Sequence, residues 1–330
     1  MKVLYVVSVA DNTLYQGQFR LAGRYQTYGQ QSFIYDFVSV AHRQGHEVEL
    51  LVDAPEQFAL VQPLRERCRI GDLRQLNEKA RRSERVVLDV IAEEVWTTYD
   101  FSAPTVKIVH DALGAYPFDR CPFFVCLSES AYRYQKRSIP EGKLRMIHQG
   151  VDLRRFQPVP AGGRGARRPR ILVYSRLEGR KKKTMMDVVR ALLKQDVDLT
   201  VLGDGEGFWE LSDECGEKIT LVNYIPCQCI QNFLPGFDLV VSSARGVMEA
   251  MACGIPAISA GLGYGGPVTE AALPELIRTN ITGFHSERSV DVLGEDVAQM
   301  LSTDGAQCRR LAERNFDMAH FVEKVIALSR

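Results

Sequence analysis

The sequence predicts an α/β protein of two Rossmann-like domains, each built on a parallel sheet. Three observations carry this. Short β-branched runs alternate with helical patterns in both halves of the chain. Pro and Gly crowd together at 157–165, just before a new buried strand. The length of 330 residues exceeds one ordinary domain and suits two of about 150.

A buried strand is expected at 3–7. A helix over 31–44 follows, with apolar residues at 33, 34, 37, 38, 40 and 41, and then a strand at 48–52. That is a βαβ unit, which implies a parallel sheet. Further strands are expected at 86–90, 106–109, 123–127 and 144–147, and the Arg- and Glu-rich stretch 54–84 reads as surface helix. The second half repeats the logic with strands at 171–174, 198–202, 219–223, 238–242 and 256–259. Apolar residues at 316, 318, 321, 322, 325, 326 and 328 make 316–328 an amphipathic closing helix.

Lys plus Arg (41) equal Asp plus Glu (41), so no global positive field gathers nucleic acid. Arg164, Arg167, Arg168 and Arg170 offer a local basic patch to an anionic membrane surface, or are simply a solvated linker. No apolar run reaches the roughly 18 residues of a membrane span, and 1–7 lacks the features of a leader, so a soluble cytoplasmic protein is expected. The eight cysteines are scattered, and Cys121/Cys126 and Cys227/Cys229 lack zinc-site spacing. They read as free or structural thiols, with no metal site.

Three segments carry chemistry. The stretch 238–259 parses as strand, tight loop, helix, Gly-stopped turn and strand. A strand-to-helix junction aims backbone N–H groups and a positive dipole end at what lies above it, and a diphosphate suits that position. Glu249 falls about one turn into this helix, either as an acceptor for ribose-like hydroxyls or as a plain surface acid. The turn 174–184 places Arg176 and Lys181 beyond the carboxyl end of the second half's first strand, where open α/β sheets bind ligands; both can neutralise phosphate. Arg180, Lys182 and Lys183 read as solvated. Gly203-Asp204-Gly205 lacks dinucleotide-fingerprint spacing and reads as a tight turn beside the site.

These residues resemble glycosyltransferase family 4, whose members have the GT-B fold. Arg176-Leu177 with Lys181, the turn 203–205 and Met248-Glu249-Ala250-Met251-Ala252-Cys253-Gly254-Ile255-Pro256-Ala257-Ile258 follow the family's blocks in order. So do Leu127-Ser128-Glu129, Pro140-Glu141-Gly142-Lys143 and Gln149-Gly150-Val151-Asp152-Leu153 with Phe156.

The resemblance implies two domains facing an interdomain cleft: an acceptor-side domain at 1–157 that also takes the closing helix (about 315–330), and a nucleotide-sugar domain at 166–314. It makes Arg176 and Lys181 the diphosphate clamp and His110, beside Asp111, a lining of the sugar pocket. Glu249, Gly246, Arg245, Gly203, Tyr224, Gly265 and Gly266 are the expected donor-binding positions. Gln16-Gly17-Gln18 and Tyr28-Gly29-Gln30-Gln31 stand near the family's glycine-rich acceptor loop.

Two departures are visible. The family has two glutamates separated by seven residues, and the earlier one, which touches the donor sugar, is replaced by Val241 ahead of a shortened loop, Ser242 to Arg245. The loop 261–270 is expanded and glycine-rich, suited to close backbone approach by a ligand or to a purely structural role.

The implied function is transfer of a sugar, with anomeric retention, from a nucleotide-diphosphate donor to a hydroxyl acceptor. UDP is expected first and GDP next. No cofactor or metal is expected, and the acceptor is a glycan, lipid-linked or natural-product molecule. A nucleotide-sugar hydrolase or epimerase, or a silent nucleotide-sugar-binding protein, is the alternative.

Overall fold

The computed structural model describes residues 1–8, 28–53, 55, 58, 60–91, 93–110, 119–158 and 167–328, and the backbone of 20–21 and 24–25. Two units divide the chain, Met1–Asp152 with Met318–Arg330, and Leu153–Asp317. The first unit thus ends ahead of the expected boundary at Gln157. Gln16 to Gln18, Asp111 and most of the expected linker, with Arg164, lie outside the described residues.

The N-terminal unit contains strands β1 (Lys2–Val7), β2 (Arg20–Leu21), β3 (Arg24–Tyr25), β4 (Glu47–Val52), β5 (Arg69–Asp72), β6 (Arg85–Leu88), β7 (Thr105–Val109), β8 (Phe123–Cys126) and β9 (Leu144–Met146). Seven of them form one parallel sheet, ordered β5-β4-β1-β6-β7-β8-β9, while β2 and β3 pair antiparallel. Its helices are α1 (Tyr28–Arg43), α2 (Val61–Leu64), α3 (Leu76–Ala80), α4 (Glu93–Thr98), α5 (Glu129–Gln135) and, from the chain's far end, a closing helix (Met318–Ala327). The surface helix expected at 54–84 is corrected. The stretch breaks into α2, the edge strand β5 and α3: four residues, Arg69 to Asp72, pair along β4, and Gly71 leaves room for the Leu51 side chain 2.7 Å from where a Cβ would stand.

The C-terminal unit contains β10 (Arg170–Tyr174), α6 (Gly179–Leu192), β11 (Asp198–Leu202), α7 (Glu206–Cys215), β12 (Thr220–Val222), α8 (Ile230–Phe233), β13 (Leu239–Ser242), α9 (Arg245–Ala252), β14 (Ala257–Ala260), β15 (Tyr264–Pro267), α10 (Leu273–Arg278), α11 (Leu293–Leu301) and α12 (Gly305–Asn315); the closing helix is therefore α13. The sheet order is β12-β11-β10-β13-β14-β15, parallel except for β15. In each unit the winding reverses once, between β1 and β6 and between β10 and β13. Such switch points are where this class of sheet binds ligands.

Arg167 clasps Asp238 through two bonds of 2.8 and 2.9 Å, and Arg168 lies 2.7 Å from Asp196. These two expected patch residues are thus engaged with acids of their own unit. No helix among the described residues is long and apolar enough to cross a membrane.

The helix α13 is built into the N-terminal unit's core. Phe321 is 2% exposed and meets Phe33 and Phe37 of α1 edge-on, with ring centroids 5.5 and 6.3 Å apart. Hydrogen bonds to the main chain hold both ends: Met318 N–H donates to the Val151 carbonyl at 3.1 Å, and the Arg85 side chain donates from Nε to the Ile326 carbonyl at 3.2 Å. Phe321→Ala should therefore destabilise the protein by about 3–5 kcal/mol through the cavity it leaves, measured as a lower urea midpoint. A change below about 1 kcal/mol would show that α13 is not part of this core.

Candidate functional site

The C-terminal unit's switch point gathers three loops. The turn after β10 is pressed into shape by the turn after β11: Ser175 N–H donates to the Leu202 carbonyl at 3.1 Å and Leu177 N–H to the Asp204 carbonyl at 2.7 Å. A Cβ on Gly203 would stand 1.8 Å from the Ser175 carbonyl oxygen, and Gly205 sits at φ +101°. Gly203, expected among the donor-binding positions, packs its α-carbon against the basic turn. Only glycine permits that approach.

Lys181, in the first turn of α6, crosses the switch point and donates from Nζ to Ser243 Oγ, 2.8 Å away in the loop after β13. Among the described residues no carboxylate lies within ion-pair reach of this ammonium. Burial, with a smaller push from Arg176, lowers it to about 8. Arg176 differs: it is 39% exposed and its Nη1 is 3.0 Å from Glu178 Oε1. Lys182 binds Glu206 and Glu210 on the outside of α7, consistent with a solvated position.

The loop after β13 is strained and braced. Ala244, before the first turn of α9, has φ +49°, a region costly for a residue with a Cβ. Its N–H donates to the Ile281 carbonyl at 3.0 Å, and Ile281 is itself fully buried at φ +55°. A Cβ on Gly246 would lie 2.0 Å from Ser242 Oγ and 2.9 Å from the Tyr174 ring, so glycine seats α9 against both β10 and β13. Ser242 Oγ in turn donates to the Tyr174 carbonyl at 2.5 Å.

Arg245 and Glu249 are 5% and 0% exposed, and Arg245 Nε stands 3.4 Å from Glu249 Oε1 one helical turn away. The surface-acid reading of Glu249 is thereby corrected. The carboxylate is enclosed. Burial and then Glu249 push the Tyr174 hydroxyl well up. Arg155, which sequence reasoning missed, supports this end of the sheet by donating from Nη1 to the Cys227 carbonyl at 2.5 Å. Tyr224 follows β12 on the same carboxyl edge, half-buried, with its hydroxyl pushed up chiefly by burial.

Gly265 and Gly266 belong to an edge strand, not to an open loop. Residue 265 packs on Ser259, whose Oγ would be 2.7 Å from an added Cβ, and the corresponding Cβ on Gly266 would meet Arg288 Nε at 2.4 Å. The loop reading of 264–267 is thereby corrected to the strand β15, in which these two glycines are closely packed. Gly261 is the member that reaches the site, with Ser243 Cβ 2.8 Å from its would-be Cβ.

His110 lies in the N-terminal unit, at the carboxyl end of β7. Its Nε2 bonds Asp89 Oδ1, and Phe33 meets its ring edge-on at 5.1 Å. Asp89 is fully buried after β6, accepts from Tyr5 Oη at 2.6 Å, and its carbonyl accepts from Lys107 Nζ. Burial opposes ionisation of Asp89, but His110, Lys107 and Tyr5 together hold its carboxyl below the usual range. This Tyr5-Asp89-Lys107 cradle was not anticipated; the sequence signals were an acid closing an apolar strand and a lysine inside 105–109. Gly29 to Gln31 fall in the first turns of α1 instead of an extended loop.

Residues 168–303 match the family model described as Glycosyl transferases group 1. No curated protein matches the chain by sequence. Among solved structures, Anabaena Alr3699/HepE in complex with UDP and glucose aligns with a TM-score of 0.66 at 15% identity, covering 99% of this chain and 100% of that one. A glycosyltransferase from Rickettsia africae gives 0.67 at 18%, covering 99% of each chain. AviGT4, a glycosyltransferase involved in avilamycin A biosynthesis, gives 0.67 at 16%, covering 99% and 96%. The chain thus has the GT-B fold throughout, and its C-terminal unit carries the group 1 match.

Two expectations follow from the geometry. An anion held at Lys181 would keep the proton that burial loosens, so the affinity of any ligand whose charge sits there should fall roughly tenfold per pH unit above about 8, and Lys181→Ala should remove that dependence in calorimetry. Asp89 is depressed, so its contribution to stability is present above the usual carboxylate range and lost as pH falls through the folded value. Asp89→Asn should cost about 3 kcal/mol at pH 7, and the difference from wild type in denaturation midpoints should shrink below about pH 4.

Proposed function

From a GT-B chain whose C-terminal unit matches the group 1 glycosyl transferases, we propose a retaining, metal-independent transfer of a sugar from a UDP-sugar to a hydroxyl acceptor. The observation that carries this reading is the Lys181 ammonium, half-buried at the switch point and bonded to a neutral hydroxyl. A leaving diphosphate supplies the negative charge that such a group favours. Arg176 stands on the same turn, where its guanidinium exchanges Glu178 for phosphate, and the N-terminus of α9 adds its dipole. Together these groups stabilise the charge that grows on the diphosphate as the glycosidic bond breaks. They take the place a divalent ion holds in metal-dependent transferases.

UDP is the first nucleotide in this reading because the HepE complex holds it, with GDP next. Glu249 receives the ribose hydroxyls once Arg245 yields, and Tyr224 lines the nucleotide's end of the edge. The acceptor, by the resemblance, belongs to the N-terminal unit, with His110 oriented by Asp89 toward the transferred sugar. A glycan, a lipid-linked sugar or a natural-product scaffold fits this scheme.

The test is calorimetric binding of UDP, GDP and ADP in EDTA to wild type, Lys181→Ala and Arg176→Ala/Lys181→Ala. One nucleotide should bind tightly. The single variant should weaken it about 100-fold at pH 7, the equivalent of one lost charge-assisted pairing, and the double variant should abolish it. Binding that requires a metal, or that the double variant retains, would overturn the assignment. Release of free sugar from the donor, undiminished by any acceptor, would replace transfer with hydrolysis.

A further inference from the structure

Among the described residues four large apolar side chains stand well exposed, and two of them, Tyr134 at 38% and Met146 at 47%, belong to one short stretch of the N-terminal unit. Tyr134 lies in the last turn of α5, and Met146 ends β9, the outermost strand of the sheet. Leu144 packs in the core with Ala131 of α5 and with Ile139. Alternation along β9 puts Met146 on the same side of the sheet as Leu144, beside that helix.

The same stretch is basic. Between positions 129 and 146, Arg133, Lys136, Arg137, Lys143 and Arg145 outnumber Glu129 and Glu141, in a chain whose charges balance overall. Glu141 ties the pieces together by accepting from Lys136 Nζ at 3.0 Å and from Tyr132 Oη at 3.2 Å, so α5 and the turn before β9 form one surface. The Arg137 guanidinium stands 5.7 Å over the Tyr134 ring, which joins charge to aromatic surface at one point. Cations on an edge strand guard against pairing with another chain. That accounts for Arg145, but not for three cations and an exposed ring on and just after the neighbouring helix.

We propose that this surface docks on an anionic lipid bilayer. Tyr134 and Met146 enter the headgroup region while the cations meet lipid phosphates, the combination of apolar burial and charge on which peripheral attachment depends. Each cation held near such a surface strengthens binding roughly fivefold, so the net excess in this stretch gives roughly a hundredfold. A bilayer suits the patch better than a nucleic acid, because a phosphate backbone offers Met146 nothing, whereas the headgroup boundary takes a thioether and a phenol side by side. Docking of this kind is independent of which sugar or nucleotide the protein uses.

The test is co-sedimentation of the full chain with vesicles of phosphatidylcholine alone and of phosphatidylcholine mixed with phosphatidylglycerol. Binding should be confined to the mixed vesicles and should fall about tenfold or more between about 0.1 and about 0.5 M salt. Arg133→Gln/Lys136→Gln/Arg137→Gln should weaken it roughly a hundredfold, and Tyr134→Ser/Met146→Ser about threefold or more. Lys183→Gln/Lys194→Gln/Lys218→Gln, the same loss of charge on exposed lysines of the C-terminal unit, should leave it unchanged. Circular dichroism checks the folding of each variant, and if the first fails to fold, Tyr134→Ser/Met146→Ser decides. The proposal is overturned if the mixed vesicles do not bind, if neutral vesicles bind equally well, if either patch variant binds as wild type does, or if the C-terminal variant loses as much as the first. Single-stranded RNA that binds as tightly as the mixed vesicles and competes with them would overturn the lipid surface in favour of a nucleic acid.

Discussion

The hydrogen bond from Lys181 to Ser243 is the interaction on which the C-terminal unit's chemistry turns. It joins the loop after β10 to the loop after β13 across the point where the winding reverses. An ammonium lowered to about 8 by burial is a cost to the folded chain, and nothing about packing requires a lysine there. Such a cost is tolerated where a ligand removes it, which is the part the proposed diphosphate would play.

Neighbouring features serve that arrangement from behind. Gly203 and Gly205 let the β11 turn press on the basic turn, and Gly246 lets α9 approach Tyr174. The strained pair Ala244 and Ile281 hold each other through one main-chain bond, so the loop carrying Ser243 is over-determined. The N-terminal unit repeats the logic with different groups. Tyr5, Lys107 and Asp89 converge from three adjacent strands to present one imidazole.

Legibility in the sequence followed the physics of each element. Central strands such as 239–242 and 105–109 stood out because strands buried on both faces must be continuously apolar and β-branched. The edge strands β5 and β15 did not. Arg69–Asp72 is short and polar, and Tyr264–Pro267 contains two glycines and a proline, which read as loop. Around the candidate site, the positions of Arg176, Lys181 and Gly246 were legible because they lie at or just past strand-to-helix junctions, and Glu249 because it follows one turn into α9. What their contacts would be was not, since the burial of Glu249 comes from packing on every side of α9. The Asp89 cradle was hidden by distance along the chain: Tyr5 and Asp89 are 84 residues apart. Ile281 could not be foreseen at positive φ, because its branched Cβ disfavours that backbone and only the surrounding fold imposes it.

The placement of α13 has a consequence for how the protein is made. The N-terminal unit's aromatic face, Phe33 and Phe37, is completed by Phe321 from a helix that the ribosome delivers only after all of 153–317. The nascent N-terminal unit must therefore wait, with an apolar surface open, while the C-terminal unit is synthesised and able to close its own sheet. The interval before residue 318 emerges is when the chain presents most to chaperones and is most prone to stick to its neighbours.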